Sequence, residues 1–255
     1  MNRSRAIIFF FVAAILCGFT AAEDFERGVG ALESFSIKKI FDGDSLLMNT
    51  GEQLRYLGIN APEYNEAFGQ EAKAENIKIL GEAKSLEFQR CLFEEKDKYE
   101  RILAFVFADG VDVQELLVKK GLAFPAAIPP CGTLSIYRYE AAAAAARKQK
   151  LGIWQEELKK PLKSDEAAMG IRHYRGVRGR VSNIFETRSV VYLNFGKDYK
   201  TDFTVAVFKR DVYRFKARGI DLKKLKGKKL TVFGFIQEHN GPEIVANSSD
   251  QMLLR

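Results

Sequence analysis

Leu54-Arg55-Tyr56-Leu57-Gly58-Ile59-Asn60-Ala61-Pro62-Glu63 opens as an alternating apolar and polar strand and runs into a loop that ends on a carboxylate. Two shorter stretches flank it in chain order. Phe41-Asp42-Gly43-Asp44-Ser45 precedes it and Asp97-Lys98-Tyr99-Glu100-Arg101 follows. Each taken alone has an ordinary explanation. An Asp-Gly pair most often marks a turn. Arg55 alone would be an ion-pair partner on a strand face, and Glu63 after a proline would be a solvated loop charge.

Outward from these stretches the patterning is that of a small mixed domain. Ser34-Phe35-Ser36-Ile37 and Leu54-Arg55-Tyr56-Leu57 alternate as short strands. Residues 70–87 carry Ala72, Ala74, Ile77, Leu80 and Ala83 near helical spacing. Residues 101–108 predict a strand closed by an Asp109-Gly110 turn. Residues 113–120 predict a short helix stopped by Gly121, and the alanine run 141–146 a further helix. Lys159, Lys160, Pro161 and Lys163 mark a polar linker, placed at 159–170.

In this order and spacing the three motifs resemble the staphylococcal nuclease (thermonuclease-like) family, from about Ser34 to Trp154. The stretches FGQEAKAENIKILGEAK, LAFVFADG, VQELLVKKGLA and KQKLGIW fall in the family's sequence as well. The resemblance implies an α+β, mainly β domain at 34–158: a five-stranded OB-type barrel with three helices. It also implies a calcium-dependent endonuclease that hydrolyses phosphodiester bonds of DNA and/or RNA and leaves 3′-phosphate and 5′-hydroxyl ends. By the same resemblance Asp44 is a metal ligand, Asn60 stands at the second ligand position and Ala61 offers its backbone carbonyl. Glu63 is the general base. Arg55 and Arg101 clamp the phosphate, and Lys98 and Tyr99 lie by the nucleotide's terminal phosphate.

Those residue types suit the task. A guanidinium fork matches phosphate bidentately, and a hard cation takes oxygen ligands and positions water. With only His173 and His239 in the chain, hydrolysis is expected to run on carboxylates and arginines. Where the family usually carries aspartate, this chain has Asn60. Its carbonyl oxygen can still ligate, but one formal charge is gone. Two nucleotide-contacting tyrosines of the best-known member fall at Ala127 and Pro129. The alternative reading is a catalytically weak module of the same fold that binds nucleic acid or protein. Arg55, Glu63 and Arg101 speak for the enzyme and Asn60 for the alternative. The family fold places the loop after Arg90 and the loop before the last helix on one side of the barrel, implying a Cys91–Cys131 disulfide.

Beyond the linker the character changes. Residues 179–185, 190–195, 202–208, 229–236 and 243–246 predict five strands with a helical interlude at 211–226, the pattern of a second OB-like barrel over 171–255. Residues 165–255 hold eighteen Lys/Arg against ten Asp/Glu, so the basic excess of the +7 chain lies there. Nucleic acid is the expected partner of that domain. Solubility is the plainer account of a basic surface. Tyr192, Phe195, Phe203, Phe233 and Phe235 are candidate base stackers or core, and the Lys223–Lys229 run is a phosphate contact or a solvated loop.

Residues 1–22 combine basic Arg3 and Arg5, an apolar stretch and a small-residue site ending at Ala22. They predict a cleaved signal peptide, with an uncleaved anchor as the rival. A lead-in at 23–33 follows. The expectation is an exported monomer, periplasmic or secreted, without a stable membrane span after cleavage and without a small-molecule cofactor.

Overall fold

The computed structural model describes residues 28–126, 130–155 and 160–254. The signal peptide and positions 127 and 129 lie outside them. Among the described residues no helix is long and apolar enough to cross a membrane.

The first domain is built of β1 (Glu33–Ser34), β2 (Ile37–Ile40), β3 (Ser45–Met48), β4 (Gln53–Tyr56), β5 (Ile59–Asn60), α1 (Gly69–Glu82), β6 (Leu86–Arg90), β7 (Ile102–Ala108), β8 (Val111–Asp112), α2 (Val113–Lys119), β9 (Phe124–Pro125) and α3 (Ile136–Gln149). Its main sheet runs β1-β6-β7-β4-β3-β2. β1 and β2 lie two residues apart, pair β6 and β3 at opposite ends of that order, and so curl the sheet on itself. β4 and β7 pair in parallel, with Leu54 opposite Ile102. Strand alternation decides the two faces. Leu54, Tyr56, Ile102, Ala104 and Val106 are buried in the core, whereas Arg55, Arg101 and Leu103 lie on the other face, only partly covered.

The second domain carries β10 (Leu162–Lys163), β11 (Tyr174–Arg180), β12 (Asn183–Glu186), β13 (Val190–Asn194), β14 (Thr204–Phe208), α4 (Val212–Ala217), β15 (Lys229–Glu238), β16 (Pro242–Val245) and β17 (Met252–Leu254). β12-β13-β14-β16-β15-β11 is the same ring order as in the first domain. Here the bent strand is β11/β12, the parallel pair is β14/β16, and a helix again lies between the third and fourth strands. The chain therefore holds two OB-type barrels in tandem.

The stretch expected as a linker is tied into the second barrel from Leu162 onward. Leu162 pairs in parallel with Val177, and a 3-10 turn at Ser164–Gly170 buries Ala167 in that barrel's core. The barrels also share a packed seam. The Tyr174 ring stacks on Phe124 at 5.2 Å and meets Trp154 edge-on at 5.7 Å. The Arg147 guanidinium lies 3.9 Å from the centroid of Phe233 and donates to the Asp250 carbonyl at 3.0 Å. Tyr174 and Phe233, though strand residues of the second barrel, pack into the core of the first. Of the five candidate stackers, Phe195, Phe203 and Phe233 are buried, Tyr192 is half-buried and Phe235 is exposed.

Two features of this frame are testable. Tyr174 donates its hydroxyl to Glu140 across the seam at 2.9 Å. Burial lifts the Glu140 carboxyl from 4.5 to about 8, with Tyr174 and Arg147 offsetting only part of the rise. Between those two values the folded chain keeps a proton that the unfolded chain releases, so stability falls as pH rises through that window, by at most about 1.4 kcal/mol per pH unit. Glu140→Gln should flatten this slope and stabilise the protein at alkaline pH. Denaturant midpoints measured across the window check it, and parallel curves for the two proteins would refute it. Cys91 and Cys131 form a disulfide with Cα atoms 5.8 Å apart, spanning 40 residues of chain. Reducing it, or replacing Cys131 by Ala, should cost about 2–4 kcal/mol in urea unfolding; an unmoved midpoint would speak against the bridge.

Candidate active site

Asp44 sits in the turn that opens β3. The side chain of Asp42 shapes that turn by accepting the Asp44 N–H at 2.9 Å and the Ser45 hydroxyl at 2.8 Å. Asn76 of α1 donates to the Asp42 carbonyl at 3.0 Å and accepts from the Tyr56 hydroxyl at 3.2 Å, so a buried relay ties turn, helix and β4 together. Gly43 is required here, because a Cβ would lie 2.6 Å from that of Ala61 and 2.9 Å from that of Ala72.

β4 then brings Arg55 over the turn. Its Nη2 lies 3.3 Å from Asp44 Oδ2 and 3.1 Å from Asn60 Oδ1. The opposite nitrogen, Nη1, donates to the Tyr56 carbonyl at 2.5 Å. The Ala61 N–H donates to the same Asp44 oxygen at 2.6 Å. Asp44, Arg55, Asn60 and Ala61 thus converge, Ala61 through its N–H and not through the carbonyl that the resemblance implies. Glu63 follows on an exposed turn in which its N–H donates to Glu66 Oε2 at 2.9 Å and the Glu66 N–H returns to its carbonyl at 2.9 Å. Gly69 at the start of α1 seats that turn, since any side chain there would collide with the Glu63 carbonyl.

Arg101 precedes β7 on the face that carries Arg55, two residues diagonal to it in the parallel register. Asp97 holds its guanidinium at 2.7 and 2.8 Å, and the ring of the exposed Tyr99 lies 5.4 Å from it. Lys98 lies 5.0 Å over the same ring. Loop 97–101 therefore gathers its cations on one aromatic platform.

The electrostatics are those of an acidic cluster short of positive charge. Burial lifts the Asp44 carboxyl from 3.8 to about 6. Arg55 and the Ala61 N–H pull it down, while Asp42 and Glu63 push it up. A hard divalent cation fits this donor set, because Asp44 and Asn60 Oδ1 present oxygens to the one point now filled by a guanidinium nitrogen. Among the described residues no three His, Cys, Asp or Glu side chains converge as a ready metal cluster. A cation here would lean on the amide of Asn60, on backbone oxygen and on oxygens from outside the chain.

An open cleft of about 610 Å³ runs from Asn60 and Glu63 to residues of the second barrel, His173 among them. Sequence reading set both histidines aside, and it passed over Asp42 and Asn76. Only the Asp-x-Asp spacing of Asp42 and Asp44 offered a signal. Nothing local pointed to Asn76 or His173.

The class the structure defines is a curled OB-type barrel with carboxylates and two arginines at its rim. The model of staphylococcal nuclease homologues matches residues 53–156. The thermonuclease of Staphylococcus intermedius is 32% identical over 133 residues, 48% of this chain and 77% of that protein. Endonuclease YncB of Bacillus subtilis is 32% identical over 133 residues, 49% of this chain and 59% of the relative. The SPbeta prophage-derived endonuclease YokF of the same organism is 31% identical over 135 residues, 49% and 45% of the two chains. The chain belongs to the staphylococcal nuclease family. It spans about half the length of the two Bacillus relatives.

The amide at position 60 gives the site its own test. Asn60→Asp supplies a second carboxylate to the Asp44 point and, if a hard divalent cation is held there, should tighten its binding by about tenfold or more. Calorimetric titration with calcium checks this, and the gap in melting temperature between calcium and chelator should widen in step. An unchanged affinity would remove Asn60 from the ligand set.

Proposed function

We propose that this chain is an exported, calcium-dependent endonuclease that hydrolyses phosphodiester bonds of DNA and/or RNA to 3′-phosphate and 5′-hydroxyl ends. The observation that carries the reading is the convergence of Arg55, Asp44, Asn60 and Ala61 at one point, with Arg101 on the same face of the barrel and Glu63 lining the adjoining cleft beside Asn60. The nuclease names of the relatives support it. When bound, the cation would supply positive charge to the phosphoryl oxygens and position water.

The chain's own groups have separate tasks. Glu63 is exposed on a turn fixed by Gly69 and is free to take a proton from water. Arg55 and Arg101 face the same space and would each hold phosphoryl oxygens, an interaction that strengthens as charge develops in the transition state. Asp97 keeps the Arg101 fork oriented. Lys98 and Tyr99 lie on the same loop, in reach of a neighbouring phosphate. The basic second barrel supports capture of a polyanion by counterion release. The Lys223–Lys229 run contributes less than its count suggests, because Lys223 pairs with Glu186 at 3.0 Å and Lys224 with Asp221 at 3.9 Å.

Glu63→Gln and Arg101→Ala should each lower kcat by ~10²–10⁴-fold with little change in denaturant midpoint. Arg55→Ala should lose both activity and stability, since its guanidinium also offsets the buried Asp44. Arg55→Lys keeps that charge without the planar fork, so it should fold and still cleave poorly. Plasmid and RNA digestion in calcium or chelator checks all four. Cleavage that survives chelator, or all the variants near wild-type rate, would leave a binding module of the nuclease fold.

A further inference from the structure

The cleft beside the catalytic turn has two walls, and only one belongs to the first barrel. Asn60 and Glu63 line the near side; Arg172, His173 and Phe235 line the far side. The seam sets the distance between them. Phe124 lines the same cleft and stacks on Tyr174, whose chain neighbours are His173 and Arg175. The far wall is therefore held against the near one by buried aromatic packing and by the bond from Tyr174 to Glu140.

Two details of the far wall point to a ligand. Arg172 has φ 70°, a left-handed backbone that an arginine adopts only at a cost and that glycine adopts freely. It is pinned there by its N–H donating to the Ile236 carbonyl at 2.8 Å, and the Ile236 N–H returns to the His173 carbonyl at 3.0 Å. The turn thus keeps a guanidinium at the mouth of the cleft where the backbone alone favours glycine. Phe235 follows Phe233 on the same face of β15. Phe233 is buried beneath Arg147 at the seam, whereas Phe235 continues that apolar face into the cleft at 41% exposure. A cation beside an open aromatic face matches the two parts of a nucleotide, phosphate and base.

We propose that the second barrel supplies a nucleotide subsite of the catalytic cleft. Arg172 takes a backbone phosphate next to the scissile one, and Phe235 stacks on the adjoining base. This rests on the phosphodiesterase reading and deepens it. A base can stack on Phe235 only if it is not paired inside a duplex, so the strand that crosses the cleft is single.

The test uses the full chain carrying Glu63→Gln, so that the probe survives, and reads fluorescence anisotropy of a short labelled single-stranded oligonucleotide. Arg172→Gly suits the left-handed backbone and removes the whole side chain, guanidinium included. It should weaken binding on the order of tenfold and reduce the salt slope by about 0.7. Phe235→Ala, at an exposed position, should weaken binding to a similar degree and leave the salt slope unchanged. Unchanged affinity in either variant overturns the subsite. Wild-type cleavage of the same oligonucleotide, run in parallel, separates the two claims. Cleavage with unaltered affinities removes the subsite and leaves the nuclease. Weakened variants without wild-type cleavage remove the nuclease and leave the subsite.

Discussion

A carboxylate almost wholly removed from water has to be held by donors, and the way Asp44 is held organises the site. One of its oxygens accepts the Ala61 N–H and faces the Arg55 guanidinium. That single atom joins the turn before β3, the side chain of β4 and the loop after β5. The neighbouring requirements follow from it. Gly43 lets the turn approach Ala61 and α1, Asn76 closes the relay behind it, and Gly69 lets α1 seat the Glu63 turn. The donors fall short of the need, so the carboxyl stays near 6. Its charged form opposes folding at neutral pH, a deficit that a cation would relieve on the function proposed.

The second consequence is architectural. Two barrels of one strand order stand in tandem, yet they spend their surfaces differently. The first gathers its charged side chains at the rim near β3, β4 and β7. The second gives Tyr174 and Phe233 to a shared core and lines the cleft opposite Asn60 and Glu63 with Arg172 and His173. Net charge divides the same way, with the basic excess beyond residue 165. On the function proposed, a polyanion would be drawn by one barrel toward a cleft whose acidic wall belongs to the other.

How much of this could be read in advance depends on range. The residues from Leu54 to Glu63 are contiguous, and the alternation of β4 places Leu54 and Tyr56 inward and Arg55 outward without knowledge of the rest. Four of the five strand segments expected in the second domain were equally legible, because each is a local run punctuated by turns; the segment expected at 179–185 instead straddles the break between β11 and β12 and leaves out Tyr174–Arg178. The seam was not. Phe124, Trp154, Tyr174 and Phe233 lie far apart in sequence, and each has an adequate local explanation as strand, helix terminus or base stacker. Leu162 and Ala167 looked like linker because charged residues precede and separate them, while the pairing of Leu162 with β11 is set by backbone hydrogen bonds that no side chain advertises. The shared strand order left no internal sequence repeat, since many sequences satisfy one pattern of backbone pairing. Arg172 drew no notice because its significance is a backbone angle.

The most direct test of the account is the denaturant midpoint of Asp44→Asn at neutral pH in chelator. An asparagine keeps an oxygen for the Ala61 N–H and removes the uncompensated charge. If Asp44 is held ionised against the preference of the fold, the variant should unfold at or above the wild-type midpoint, by up to about 3 kcal/mol. A variant several kcal/mol less stable than wild type would contradict this. The Asp44 charge would then be holding the barrel together, and the site's need for a cation would lose its physical basis.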